Sequence, residues 1–170
     1  GDGLVAVFSD AKHALAASLA AQYALHAAAS DGLAPAPEAH APVALKVRMG
    51  LHSGVADARD GDYFGASVNR AARIMSVAHG EQILLSAATA ELLRGDLPEG
   101  VTLREMGEHQ LKGLTNPERL LQVVASGLRA EFPPLASQGR SLPAENDAFV
   151  GRSDALAELE RRYAAGTRLV

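Results

Sequence analysis

The amino-acid sequence predicts an α/β chain, an α+β sandwich in which helices cover a mixed sheet. Three observations carry that expectation. Short apolar runs of strand length recur at residues 4–8, 45–55, 82–85, 102–106 and 120–124. Between several of them lie segments whose apolar residues repeat every three to four positions, the spacing of one helix face. The composition, 48% hydrophobic and 21% charged over 170 residues, supplies the apolar surface that a core needs.

Taken in order, residues 4–8 follow two glycines and read as a strand leaving a hairpin turn. Ser9 or Asp10 is placed to cap the helix that follows, in which Leu15, Leu19 and Tyr23 stack at i, i+4 and i+8. Asp31-Gly32 ends that helix, and Pro35, Pro37 and Pro42 hold residues 33–42 in an extended loop. In the strand expected at 45–55, Lys46 and Arg48 alternate with Val47 and Met49, a half-buried strand with its basic side to solvent. Gly65 closes a turn, and residues 67–78 form a helix on which Val68, Ala71, Ala72 and Met75 recur at helical spacing. Gly80 is the candidate C-cap. Ser86 caps a short helix ending near Arg94-Gly95, and the last two strands flank a Leu-Lys-Gly-Leu segment at 111–114.

Composition narrows the function. With 16 basic and 20 acidic residues the net charge is −4, and aromatic residues make up 4%, so neither a basic field nor a stacking platform recommends nucleic acid as a partner of this domain. There is no cysteine, hence no disulfide, thiol nucleophile or thiolate-bound metal. The six histidines show no pair at i+3 or i+4, which leaves a hard cation, magnesium or manganese, as the expected metal. No apolar run reaches membrane-spanning length and no signal peptide is visible, so a cytoplasmic location is expected. The opening Gly-Asp-Gly, without methionine, reads as the start of an internal fragment.

The chemistry concentrates at residues 61–73. Asn69 and Arg73 are i and i+4 on the 67–78 helix and share one face. An amide beside a permanently charged planar fork suits charge that builds on ribose and phosphate oxygens. Asp62 precedes the helix, where a carboxylate can accept a hydrogen bond from a base's exocyclic amine. By residue type alone, Gly1-Asp2-Gly3 is a turn, Asp62 a solvated loop residue, and Asn69 and Arg73 an exposed helix face.

Four strings in order, Gly1-Asp2-Gly3, Val47 to Gly54 (Val-Arg-Met-Gly-Leu-His-Ser-Gly), Asp62 to Arg73 and Gly107 to Leu114, resemble a class III nucleotidyl cyclase domain over residues 1 to about 125. The resemblance implies a ferredoxin-like βαββαβ topology, N-terminally truncated. It implies an adenylate cyclase that converts ATP to 3',5'-cyclic AMP and pyrophosphate with two divalent ions, Mg or Mn, at the interface of a homodimer. Asn69 would orient the ribose and Arg73 would stabilise the pentavalent transition state. Asp62 would select adenine, Arg48 and Lys112 would hold the triphosphate, and Asp2 would bind metal. The second metal carboxylate and the adenine-selecting lysine of the family fall before residue 1, so the chain alone is expected to be inactive. The alternative reading is a catalytically inactive nucleotide-sensing or dimerisation module of a multidomain regulator. His52 and His109 are read as structural or surface residues, and no role follows for Arg70.

Beyond the domain at 1–126, Pro133-Pro134, Gln138-Gly139 and Pro143 mark a linker over 127–148. Phe149-Val150-Gly151-Arg152 and a helix with Leu156, Leu159 and Tyr163 resemble the entry to a P-loop ATPase module of large bacterial transcriptional regulators, over 149–170. Such an order leaves room for a DNA-binding domain further downstream.

Overall fold

In the computed structural model the described residues are 3–30 and 45–135. Asp2, the proline-rich loop at 33–42 and the expected ATPase-like entry at 149–170 lie outside them. The order of elements is α1 (Ala11–Ser30), β1 (Met49–Leu51), β2 (Asp57–Arg59), β3 (Asp62–Phe64), α2 (Ala66–Val77), β4 (Ile83–Ser86), α3 (Ala87–Leu92), β5 (Val101–His109) and β6 (Glu118–Ala125). Four strands form a mixed sheet in the order β1-β4-β6-β5, with β1 parallel to β4 and the other pairs antiparallel. The mixed α/β class follows the expectation.

All four residues of β4 are buried, which explains why its sequence is a continuous apolar run rather than an alternating one. Successive side chains of a strand point to opposite faces. Ile83 and Leu85 join Leu15 and Leu19 of α1 and Ala90 of α3, while Leu84 faces Ile74 and Val77 of α2 together with Leu111, Leu120 and Leu135. Helices therefore cover both faces of the sheet. A fully buried leucine such as Leu84 contributes about 1.5–3 kcal/mol. A buried polar pair is satisfied: Gln82 Nε2 donates to Gln122 Oε1 at 2.8 Å, and Gln122 Nε2 donates to the Ala130 carbonyl at 2.7 Å.

The caps divide the local signals into those that held and those that did not. Asp10, of the two candidates, caps α1: its Oδ1 accepts from the His13 backbone N–H at 2.8 Å. Ser86 caps α3, accepting from the Thr89 N–H at 3.3 Å. Gly80 does not cap α2. The helix ends at Val77, Ala78 turns extended with φ −73° and ψ 151°, and Gly80 lies where a Cβ would sit 2.8 Å from Lys46 Cβ. Its small size serves a close approach.

Residues 4–8 are a second correction. No strand forms there, and Leu4 and Val5 are 89% and 64% exposed. An apolar run becomes a strand only where a neighbour takes its N–H and C=O groups, and none of the described residues does. The strand expected at 45–55 is confined to Met49–Leu51, although the Glu81 N–H still reaches the Val47 carbonyl at 2.8 Å. Residues 127–135, expected as the start of a linker, run back over the domain. Arg104 donates to the Ala130 carbonyl at 3.1 Å, Phe132 stacks on His79 with centroids 6.1 Å apart, and Leu135 is buried beside α2.

Candidate functional site

The polar stretch before α2 is a two-stranded hairpin rather than a loop. Asp60 and Gly61 take φ of 52° and 79°, the paired left-handed geometry of a two-residue turn, and Arg59 faces Asp62 across it. Asp-Gly is the residue pair that such turns favour, so the signal was present in the sequence. Asp62 thereby becomes the first residue of β3, exposed, with its Oδ1 accepting from the Tyr63 N–H at 2.7 Å. Gly65 then adopts φ 121°, open to glycine and strained for any other residue, and turns the chain from β3 into α2.

α2 is seated by three contacts. Gly50 of β1 lies so close beneath it that a Cβ would sit 2.4 Å from the Met75 nitrogen and 2.8 Å from the Ala71 carbonyl oxygen. Ser67 Oγ, in the first turn, donates to the Val55 carbonyl at 2.7 Å. Arg70 Nε lies 3.4 Å from Glu118 Oε2, an acid whose side chain is only 13% exposed. Ile74 and Val77 face inward, which leaves Asn69 and Arg73 on the exposed face, as their i, i+4 spacing predicts. Neither side chain has a partner among the described residues.

Lys112 is presented by a built turn. The Leu114 N–H donates to the Leu111 carbonyl at 3.1 Å, Gly113 takes φ 76°, and Gln110 Nε2 donates to the Leu114 carbonyl at 2.5 Å. A β-turn with positive φ at its third position requires glycine there, which accounts for Leu-Lys-Gly-Leu. Leu111 is buried against Ile74 and Val77, so this turn and α2 share one core while Lys112 itself is exposed. Arg48 is also exposed, and its Nη1 is 3.4 Å from the Ser76 carbonyl oxygen near the end of α2. The structure thus gathers Asp62, Asn69, Arg73, Arg48 and Lys112 on or around α2. Asp2 lies outside the described residues.

Sequence reasoning missed one contributor: Arg70 had no role, and it pairs α2 with Glu118 of β6. His52, read as structural or surface, is structural. His52 bridges the end of β1 to the start of α3: its Nδ1 is 2.8 Å from Ser86 Oγ, Ser86 Oγ is 3.1 Å from Thr89 Oγ1, and Thr89 Oγ1 donates to Ser53 Oγ at 3.1 Å. Burial, and then the positive charge of Arg70, hold the His52 imidazole below its ordinary pKa, so the neutral ring is favoured. The only sequence signal for this network was a His-Ser pair closing a strand.

Among the described residues no three His, Cys, Asp or Glu side chains converge to hold a metal ion, and no helix is long and apolar enough to cross a membrane.

Residues 1–124 match the family of adenylate and guanylate cyclase catalytic domains. The chain is 39% identical over 156 residues to an uncharacterized protein of Mycobacterium tuberculosis, covering 89% of this chain and 49% of that protein. It therefore spans about half the length of that relative. It is 33% identical over 99 residues to a receptor-type adenylate cyclase of Trypanosoma equiperdum, covering 51% of this chain and 21% of the other. Among solved structures, an adenylate/guanylate cyclase/hydrolase from Silicibacter pomeroyi aligns with TM-score 0.60 and 29% identity, over 74% of this chain and 69% of that one.

Proposed function

The chain belongs to the adenylate and guanylate cyclase catalytic domain family, and from that premise we propose that it is the catalytic part of an adenylate cyclase. The reaction is in-line attack of the ribose 3'-oxygen of ATP on the α-phosphate, releasing pyrophosphate and forming 3',5'-cyclic AMP. One observation carries the assignment. Asn69 and Arg73 occupy the face of α2 that packing does not use, and both are unpartnered among the described residues, whereas Arg70 between them is committed to Glu118. A guanidinium held on a seated helix without an internal partner is free to meet phosphate oxygens.

Roles follow from chemistry and place. Arg73 stabilises charge that develops on the α-phosphate, and Asn69 hydrogen-bonds the ribose so that its 3'-oxygen lies in line. Asp62 accepts from the 6-amino group of adenine, at the position where guanine presents a carbonyl oxygen. Arg48 and Lys112 pair with triphosphate oxygens already present in the ground state. Two divalent ions, magnesium or manganese, would supply charge neutralisation and a more acidic 3'-hydroxyl when bound, with Asp2 as the ligand this chain offers. The described residues do not make a metal site by themselves. The active unit is a homodimer in which Asp2 of one subunit and Asn69 and Arg73 of the other share a site. The segment from Phe149 onward is proposed as the entry to an ATPase module.

The test is kinetic, on the full-length protein with manganese and both ATP and GTP. Arg73→Ala should lower kcat by about 10² to 10³ with little change in KM. Lys112→Ala should mainly raise KM, and Asp62→Ala should blur the choice between ATP and GTP. Mixing Asp2→Ala with Arg73→Ala subunits should restore up to roughly a quarter of wild-type activity, since about half the dimers are mixed and each has one intact site. A wild-type protein that binds ATP without turning it over would support the sensing-module reading instead.

A further inference from the structure

Arg70 lies on α2 between the two residues assigned to catalysis, yet its side chain turns the other way. Its Nε meets Glu118 Oε2 at 3.4 Å. Glu118 opens β6, where it pairs in register with His109, the last residue of β5. Residues 110–117, which connect those strands, carry the turn that presents Lys112. The ion pair therefore joins the helix bearing Asn69 and Arg73 to the base of the connection bearing Lys112. No other described contact between charged side chains links those two elements.

The chemistry of the pair favours a positional role. Arg70 is 42% exposed and Glu118 13%, so the carboxylate is mostly withdrawn from water and depends on its partner more than the guanidinium does. The contact is a single Nε–Oε2 approach, which ties one point of the guanidinium to that carboxylate. Below the pair, Leu111 packs on Ile74 and Val77. The ion pair adds a polar point of attachment to that apolar contact. His52 stands in the same electrostatic neighbourhood: burial, and then the positive charge of Arg70, disfavour the charged imidazole.

We propose that Arg70 and Glu118 form a positioning clamp that sets the Asn69–Arg73 face of α2 against the Lys112 turn, so that both groups reach one nucleotide. This rests on the cyclase reading given above. It adds a pair of residues that touch no substrate and act through those that do.

The experiment uses full-length protein and four variants: Arg70→Gln, Glu118→Gln, the double neutral variant, and the charge swap Arg70→Glu with Glu118→Arg. Two readouts are taken, steady-state turnover of manganese–ATP and hydrogen exchange over residues 66–77 and 110–117. Each neutral single variant should lower kcat about tenfold to a hundredfold, as expected for a misplacement near 1 Å, with KM changed less than threefold. Exchange should quicken in both segments together and not in β5. The double variant should be no worse than either single, and the swap should recover part of the rate and of the protection. Independent, multiplying losses in the double variant would overturn the clamp, as would full activity or unchanged exchange in the singles. Should the neutral variants fail to fold, the swapped pair decides: it folds and regains protection if the contact is what matters. If wild-type protein turned over no nucleotide, the cyclase reading would fail, while coupled exchange in the two segments would still decide the clamp.

Discussion

Replacing Gly50 by alanine tests the seating of α2 more directly than any substitution on the helix itself. The added Cβ would stand 2.4 Å from the Met75 nitrogen and 2.8 Å from both the Ala71 carbonyl oxygen and Met75 Cα, where ordinary contact begins at 3.4 Å. All three atoms are helix backbone, so no flexible side chain can yield. The helix must withdraw from β1 by about 1 Å, at a cost typical of overpacking, about 1–3 kcal/mol. With a urea slope of about 1–3 kcal/mol per molar, the unfolding midpoint should fall by roughly 1 M at unchanged slope. The same displacement moves Asn69 and Arg73, and about 1 Å there costs on the order of 10²-fold in rate. Gly80→Ala is the graded comparison. Its Cβ would meet Lys46 Cβ at 2.8 Å and the Lys46 carbonyl oxygen at 3.1 Å, away from the turn of α2 that carries Asn69 and Arg73, so it should destabilise less and spare turnover. The assays are urea unfolding and steady-state kinetics on the same preparations. A Gly50→Ala protein within about 0.5 kcal/mol of wild type and fully active would refute the close approach and the transmission of strain to the site.

Three further outcomes follow from the polar contacts. Ser86→Ala removes the cap of α3, about 1 kcal/mol, and strips His52 Nδ1 and Thr89 Oγ1 of their shared partner, so thermal unfolding should show a loss above that of a cap alone. His52 has a folded pKa below the ordinary 6.5, so the unfolded chain takes up its proton first as pH falls; the stability from neutral His52 is complete above 6.5 and is lost as pH drops from there through the folded value. Urea midpoints should therefore fall less steeply on acidification in His52→Gln than in wild type, and parallel profiles would contradict the assignment. Gln82→Leu deprives Gln122 Oε1 and the His79 N–H of their partners, and should cost about 1–3 kcal/mol in urea unfolding despite the apolar gain.

Local spacing in the sequence was enough to determine α2, the cap at Ser86, the central strand at β4 and the shared exposed face of Asn69 and Arg73, because helix and strand periods are properties of neighbouring residues. The four strings Gly1 to Gly3, Val47 to Gly54, Asp62 to Arg73 and Gly107 to Leu114, read together, pointed to the family. Tertiary structure decided what depends on a distant partner. The apolar run at 4–8 has the composition of a strand but no ladder neighbour among the described residues, and the proline-bearing segment at 127–135 has the composition of a linker but finds the Arg104 and Gln122 side chains both donating to its Ala130 carbonyl. Gly50 reads as one glycine among 16 until α2 is laid across it. Arg70 and Glu118 are an ion pair only because the sheet order brings β6 beneath α2. A side chain's identity states what it can bond, and only the packing of elements remote in sequence supplies the group it bonds to.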